Sequence, residues 1–209
     1  MIPNKIHYIW IGKDLDVLGS ELRRKCFNTV YNYCKKTGAD FSLWTDEDFK
    51  DTIDNNKYLQ YLYNEKHYAL VADYFKYYIV YKEGGMYLDT DIEILDNFPQ
   101  EILNTNDYLF CSTNSQYTLF HTVLSASFVC AKPQSELIKK VLDVYDNRLF
   151  TINNPTKYDT YMDCAISMEA FKDFQIQTMA FFPDSCNEEI ALRDKSINCI
   201  HYNCLIADA

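Results

Sequence analysis

A glycine pair, a short apolar strand and two closely spaced carboxylates constrain this chain more than any other feature. The stretch runs from Gly84 to Leu95 and reads GGMYLDTDIEIL. The glycines interrupt the preceding segment, and the apolar residues after them predict a buried strand. Because side chains in a strand repeat their direction every two residues, Asp89 and Asp91 are expected on one side. We therefore predict an acidic pair at the end of a strand.

Two carboxylates held this close repel each other unless a cation or a hydroxyl-rich ligand lies between them. Hard oxygen ligands in this pattern suit Mg²⁺ or Mn²⁺, with phosphate oxygens completing the coordination shell. An isolated D-x-D is more often a solvated acidic turn. The choice between these two interpretations depends on the sequence around the pair.

The preceding segment, residues 69–83, has the spacing of a helix that ends at the glycines, with Asp73 and Lys76 on one face. Together the two segments read A-x-x-A-D-x-x-K-Y-x-x-x-Y-x-x-G-G-M-Y-L-D-T-D. This pattern resembles the signature of glycosyltransferase family 32, the DXD-containing sugar transferases. That family includes capsular-polysaccharide and yeast mannosyl transferases and is related to the clostridial glucosylating toxins.

The first strand, Lys5 to Gly12, carries a second resemblance, to the family's opening pattern I-P-K-x-I-H-x-x-W-I-G. In the family the tryptophan lies near the donor nucleobase, which implies that role for Trp10. The alternative is a core tryptophan that closes the strand. His7 is predicted to be a packed strand histidine rather than a ligand.

The resemblance implies roles for five further residues. Asp91 would ligate the metal directly, and Asp89 would contact ribose or sugar hydroxyls and reach the metal through water; both are candidate catalytic residues. Tyr87 would hydrogen-bond a phosphate, with simple packing in the strand as the alternative, and Asp73 would accept hydrogen bonds from ribose or sugar hydroxyls. Lys76 stands where the family usually has arginine, so the donor site keeps a charge but loses a bidentate fork.

The end of the chain resembles the strand that leads to the family's H-H-x-x-x-S-W ending. His201 is kept, but Ile206 and Ala207 stand where serine and tryptophan are expected. His201 is either a further metal ligand or a residue that packs beside Tyr202, and the sequence leaves both open.

The chain opens in the order β-α-β-α: a strand at 5–12, a helix at 20–37, a strand at 40–44 and a capped helix start at Thr45. Further strands are expected at 107–112 and 125–131, a helix capped by Ser135 after them, and another helix from 158 to 174. We predict an α/β, GT-A-like single domain over residues 1–209, with a Rossmann-like mixed sheet flanked by helices. Ligands of open sheets lie at the carboxyl ends of strands, so Trp10 and the acidic pair can converge.

Composition limits the partners. The 209-residue chain has a formal net charge of −10, which disfavours nucleic acid, and the basic cluster at 23–25 is expected to be a solvated face. No apolar run is long enough for an integral membrane segment. Its 8 cysteines form no C-x-x-C pair. We expect a reduced, cytoplasmic protein, with peripheral attachment to the inner face of the membrane as the alternative location.

The resemblance implies a retaining, metal-dependent transferase that uses Mn²⁺ or Mg²⁺. Its donor would be a UDP- or GDP-sugar, and its acceptor a bacterial surface glycan or a lipid-linked oligosaccharide. The alternatives are a D-x-D phosphohydrolase, a non-catalytic sugar-binding module and a metal-stabilised structural domain. The phosphohydrolase pattern requires threonine or valine at the position that Glu93 occupies.

Overall fold

The chain opens in the order β-α-β-α, and two further helices precede the third strand. The computed structural model describes residues 1–12, 19–96, 108–113, 123–157, 178–181 and 199–201. The strands in this part are β1 (Lys5–Trp10), β2 (Asp40–Thr45), β3 (Gly85–Leu88), β4 (Ile92–Ile94), β5 (Tyr108–Thr113), β6 (Val123–Ala131), β7 (Thr178–Phe181) and β8 (Cys199–His201). The helices are α1 (Glu21–Thr37), α2 (Asp46–Asp54), α3 (Lys57–Asn64), α4 (Tyr68–Glu83) and α5 (Glu136–Val144), which continues as a π-helix over Tyr145–Leu149.

Six of these strands form one mixed sheet in the order β2-β1-β3-β6-β5-β7. β1 is parallel to both of its neighbours, β2 and β3. β6 runs antiparallel to β3 and β5, and β5 is parallel to β7. β4 and β8 form a separate antiparallel pair. The predicted mixed α/β sheet is confirmed.

The sheet separates two apolar clusters. Alternate residues of β1 contribute to each: Ile6 and Tyr8 pack with α1, and Ile9 packs with α2, α3 and α4. Both faces of β1 are therefore covered by helices, as expected for parallel strands in the middle of a sheet. None of the helices in the described part of the chain has the length and apolarity that a membrane span needs.

His7 is a packed strand histidine, as predicted. It is 1% exposed, and its Nδ1 lies 3.2 Å from the indole nitrogen of Trp44, which can only donate. Nδ1 is therefore the acceptor, and Nε2 carries the proton and donates to the carbonyl of Gly84 at 2.8 Å. The histidine ties β1 to β2 and to the end of α4 in its neutral form.

This arrangement predicts an acid-dependent loss of stability. Burial lowers the pKa of His7 below its ordinary value of 6.5, so below that pH the unfolded chain binds a proton that the folded chain does not. The free energy of unfolding should fall by up to about 1.4 kcal/mol per pH unit below 6.5 until the folded-state pKa is reached. Urea unfolding at pH 7.5 and 5.5 measures this, and His7→Gln should show a smaller difference between the two pH values. An equal difference in both proteins would contradict the assignment.

The glycine pair before β3 is required by the backbone and by close packing. Gly84 has φ +66°, and a Cβ there would lie 2.5 Å from Cδ of Pro133. Gly85 has φ +99°, and a Cβ there would lie 2.8 Å from the carbonyl oxygen of Lys5. The two glycines thus allow β3 to leave α4 and pair directly with β1.

In the second half of the chain, the strands and helices agree in part with those predicted from the sequence. β5 and β6 form near the predicted positions, and the predicted helix after them forms as α5, which buries Leu137, Val141 and Leu142. Ser135 stands at the N-cap position, but its side chain makes no capping hydrogen bond, contrary to the prediction. The helix predicted from 158 to 174 lies outside the described residues.

Candidate active site

Trp10 and the acidic pair lie at the same edge of the sheet. β1 and β3 are parallel neighbours, with Ile6 paired to Met86 and His7 paired to Tyr87. Their carboxyl ends therefore point the same way. Trp10 is the last residue of β1, and Asp89 and Asp91 come shortly after β3. All three side chains are half-buried.

A turn presents the two carboxylates. The Asp89 amide donates to the Ser127 carbonyl of β6 at 2.8 Å, and the Ile92 amide donates to the Asp89 carbonyl at 3.1 Å. β4 then runs to α1, where the amide of Ile94 donates to Oγ1 of Thr29 at 3.0 Å. The backbone around the acidic pair is fixed on both sides, so the carboxylates start from defined positions.

Tyr87 orients Asp89. Its hydroxyl donates to Oδ1 of Asp89 at 2.6 Å, as the two-residue repeat of a strand allows. Burial and the neighbouring Asp89 raise the pKa of Tyr87 well above its usual value, with Lys76 opposing them. The hydroxyl therefore stays protonated and remains a donor. The sequence interpretation gave Tyr87 a phosphate contact, whereas in the structure its hydroxyl is directed to the carboxylate.

Asp73 and Lys76 share a face of α4, as predicted. Nζ of Lys76 lies 2.8 Å from Oδ1 of Asp73, and the lysine side chain is only 3% exposed. The same ammonium lies 5.8 Å from the ring centre of Tyr87 and 5.7 Å from that of Tyr77. An ion pair, a cation–ring contact and a hydrogen bond thus connect Asp73, Lys76, Tyr87 and Asp89, from α4 to the acidic turn.

Arg23 is a site residue that the sequence analysis missed. Its guanidinium carbon lies 5.0 Å from the ring centre of Trp10. The neighbouring Lys25 pairs with Glu93 at 3.0 Å. The basic cluster at 23–25 is therefore not simply a solvated face, because two of its three side chains contact β1 and β4. Sequence periodicity gives no signal for contacts between different elements.

The turn after Trp10 is also anchored by residues that sequence reasoning did not select. The amide of Gly12 donates to both carboxylate oxygens of Asp46, at 2.8 and 3.1 Å. The Tyr63 hydroxyl donates to the same carboxylate at 3.0 Å. Gly12 has φ +86°, and a Cβ there would lie 2.2 Å from the Tyr68 ring. These contacts fix the backbone that follows the tryptophan.

The last described strand returns to the acidic turn. β8 pairs with β4, and His201 is the partner of Ile92, the residue directly after Asp91. This pairing brings the backbone of His201 next to that of the acidic turn. Among the described residues, no group of three or more His, Cys, Asp or Glu side chains is arranged to hold a metal ion. The metal-binding role of His201 stays a prediction.

The sequence of this central part matches a known family model. Residues 20–109 match the model described as the glycosyltransferase sugar-binding region containing the DXD motif. The match covers less than half of the chain, and we refer to residues 20–109 as the DXD segment. The resemblance to glycosyltransferase family 32 is thereby confirmed. The DXD segment includes α1, α4 and the acidic turn, whereas Trp10 and His201 lie outside it.

Two curated relatives match over 97 residues each. An uncharacterised glycosyltransferase of Acanthamoeba polyphaga mimivirus is 35% identical over 44% of this chain and 36% of its own length. The inositol phosphoceramide mannosyltransferase 3 of Schizosaccharomyces pombe is 30% identical over 44% of this chain and 24% of its own. The match thus covers only about a third and a quarter of these relatives.

A solved structure extends the likeness over the whole fold. A glycosyltransferase involved in the glycosylation of the major capsid of PBCV-1 superposes with a TM-score of 0.54 at 12% identity. The superposition covers 98% of this chain and 94% of the other. At this identity the likeness is one of fold, and the predicted GT-A-like fold is confirmed.

Proposed function

We propose that this protein is a retaining, metal-dependent glycosyltransferase that moves a sugar from a UDP- or GDP-sugar to a glycan acceptor. One observation carries the proposal: the DXD segment contains an acidic turn at the sheet edge where Trp10 ends the neighbouring strand. The acceptor is a surface glycan or a lipid-linked oligosaccharide, in bacterial surface polysaccharide synthesis. The family of the DXD segment and the fold support this assignment.

Each residue of the site has a role in this proposal. The nucleobase lies against Trp10, and Asp73 and Asp89 accept hydrogen bonds from ribose or sugar hydroxyls. Lys76 adds positive charge near the donor sugar and diphosphate. Tyr87 holds Asp89 in one orientation through the 2.6 Å hydrogen bond, so the carboxylate needs little rearrangement when the donor binds.

The acidic turn suits a small divalent cation. Mg²⁺ and Mn²⁺ prefer oxygen ligands and are often held by one or two carboxylates together with substrate phosphates. Asp91 would be the direct protein ligand, Asp89 would act through water, and His201 is the proposed further ligand. When bound, the cation supplies Lewis-acid stabilisation of the negative charge that develops on the diphosphate. The half-buried position of both carboxylates leaves them accessible while partly excluding water.

A non-catalytic nucleotide-sugar or glycan-binding module is the second candidate, and Lys76 favours it. A lysine ammonium lacks the bidentate fork that arginine would bring to a leaving phosphate, and this ammonium is buried and already paired with Asp73. A phosphohydrolase is less well supported, because Glu93 stands at the position where that pattern needs threonine or valine. Glu93 is instead paired with Lys25.

A donor screen tests the proposal. We expect one of a panel of UDP- and GDP-sugars to raise the melting temperature in the presence of Mn²⁺ or Mg²⁺ but not in EDTA. A ligand at a hundred times its Kd stabilises the native state by about 2.7 kcal/mol, enough for a clear shift. Release of free nucleoside diphosphate from the same mixture identifies an enzyme, and stabilisation without release identifies a binding module. No shift with any nucleotide sugar would contradict both.

A further inference from the structure

The contact between Arg23 and Trp10 has a geometry that suits nucleotide binding. The guanidinium carbon is 5.0 Å from the ring centre, within the range of a cation–π interaction. The indole nitrogen of Trp10 is itself buried, and no acceptor for its N–H lies among the described residues. A buried donor without an acceptor is costly, so it marks a place where a ligand oxygen would be favourable.

The helix that carries Arg23 is well fixed. Ser20 caps α1 by accepting the amide of Arg23 at 3.1 Å, so the backbone at Arg23 is held at the first turn. Further along the helix, Lys25 pairs with Glu93 and Thr29 accepts the amide of Ile94. The first half of α1 thus contacts both Trp10 at the end of β1 and the strand that directly follows the acidic turn.

We propose that Arg23 is a positioning residue of the donor-nucleotide subsite, where its guanidinium fixes the plane of the Trp10 indole against which the nucleobase lies. This inference rests on the proposed function. An indole that is held in place loses less conformational freedom when a base stacks on it, so binding is tighter. Arg23 also adds a positive charge beside Trp10 at a sheet edge that must accept a diphosphate.

Tryptophan fluorescence tests this directly, because the chain has only 2 tryptophans. In a Trp44→Phe background Trp10 is the sole tryptophan, its emission is excited selectively over that of tyrosine, and UDP and GDP are titrated with Mn²⁺ present. Arg23→Ala should weaken binding of the preferred nucleotide by about three- to tenfold, which corresponds to the usual strength of such a contact. Arg23→Lys keeps a cation over the ring and should restore most of the affinity.

Arg24→Ala is the matched control, because Arg24 is the adjacent, exposed arginine and its removal changes the net charge equally. It should leave the affinity unchanged. The emission of Trp10 in the ligand-free protein should shift in Arg23→Ala and not in Arg24→Ala, which reports the position of the indole independently of nucleotide. Melting temperatures of all variants show whether any loss of affinity comes from loss of the fold.

The outcomes separate the two proposals. If the parent binds UDP or GDP and Arg23→Ala binds equally or more tightly, the role of Arg23 is wrong and the proposed function stands. Equal losses of nucleotide affinity in Arg23→Ala and Arg24→Ala would mean that net charge alone matters. That result would also overturn the positioning role of Arg23. If the parent binds neither nucleotide, both proposals fail together.

Discussion

Asp91→Asn is expected to abolish Mn²⁺-dependent binding of the nucleotide sugar while leaving the fold intact. The amide keeps the shape of the carboxylate but loses the charge that holds a divalent cation. Changing a residue that only supports a metal ligand typically lowers metal affinity by ~10–100-fold. The loss of affinity on removing a direct ligand should be larger. Because Asp91 is half-buried on a turn, the melting temperature of the ligand-free protein should change little. Calorimetric titration of Mn²⁺ and donor measures the effect.

A graded series around the same turn sharpens this test. Asp89→Asn should lower turnover at least as much as Asp91→Asn, since it also removes contacts to the sugar. Tyr87→Phe keeps both charges and removes only the 2.6 Å hydrogen bond to Asp89, so a loss of ~10-fold is expected. Asp96→Asn changes an exposed carboxylate shortly after β4 and should have no effect. Normal Mn²⁺-dependent binding in both Asp89→Asn and Asp91→Asn would contradict the metal site.

Local patterns predicted the elements of the first half well. The β-α-β-α opening, the helix before the glycines and the strand before the acidic pair all form within a few residues of the predicted bounds. Apolar spacing and capping signals determine these elements, and they act over one or two turns of chain. The parallel pairing of β1 with β3 then places Trp10 near the acidic turn, as the strand-end rule implied.

Contacts between distant side chains were not predictable in the same way. The hydrogen bond from the Gly12 amide to the Asp46 carboxylate and the contact of Arg23 with Trp10 each join groups whose partners no periodicity identifies. The sequence analysis did not predict α3, because a helix of eight residues gives only a short periodic pattern. Its N-cap is nevertheless present, since Asn56 accepts the amides of Tyr58 and Leu59. The metal-binding prediction for His201 depends on a side-chain position that backbone pairing alone does not provide.

The Asp73–Lys76 pair predicts an asymmetric effect on stability. Lys76 is 3% exposed and Asp73 is 23% exposed. Asp73→Asn removes the carboxylate that pairs with a buried ammonium, and we expect the free energy of unfolding to fall by about 3 kcal/mol. Lys76→Met replaces the ammonium with an apolar side chain of similar size and leaves a carboxylate that water can reach. Its cost should stay below about 1 kcal/mol. Urea unfolding of the ligand-free protein measures both.

The double variant and a surface pair complete the test. Asp73→Asn combined with Lys76→Met should recover most of the stability lost in Asp73→Asn, because no buried charge is then left uncompensated. Lys50 and Asp54 form an exposed pair at 2.6 Å on α2, and Asp54→Asn should not move the urea midpoint measurably. Equal losses in Asp73→Asn and Lys76→Met would contradict the burial argument. All three Asp73 and Lys76 variants should bind the donor weakly, including the stable double variant, since their role in donor recognition is separate from their contribution to the fold.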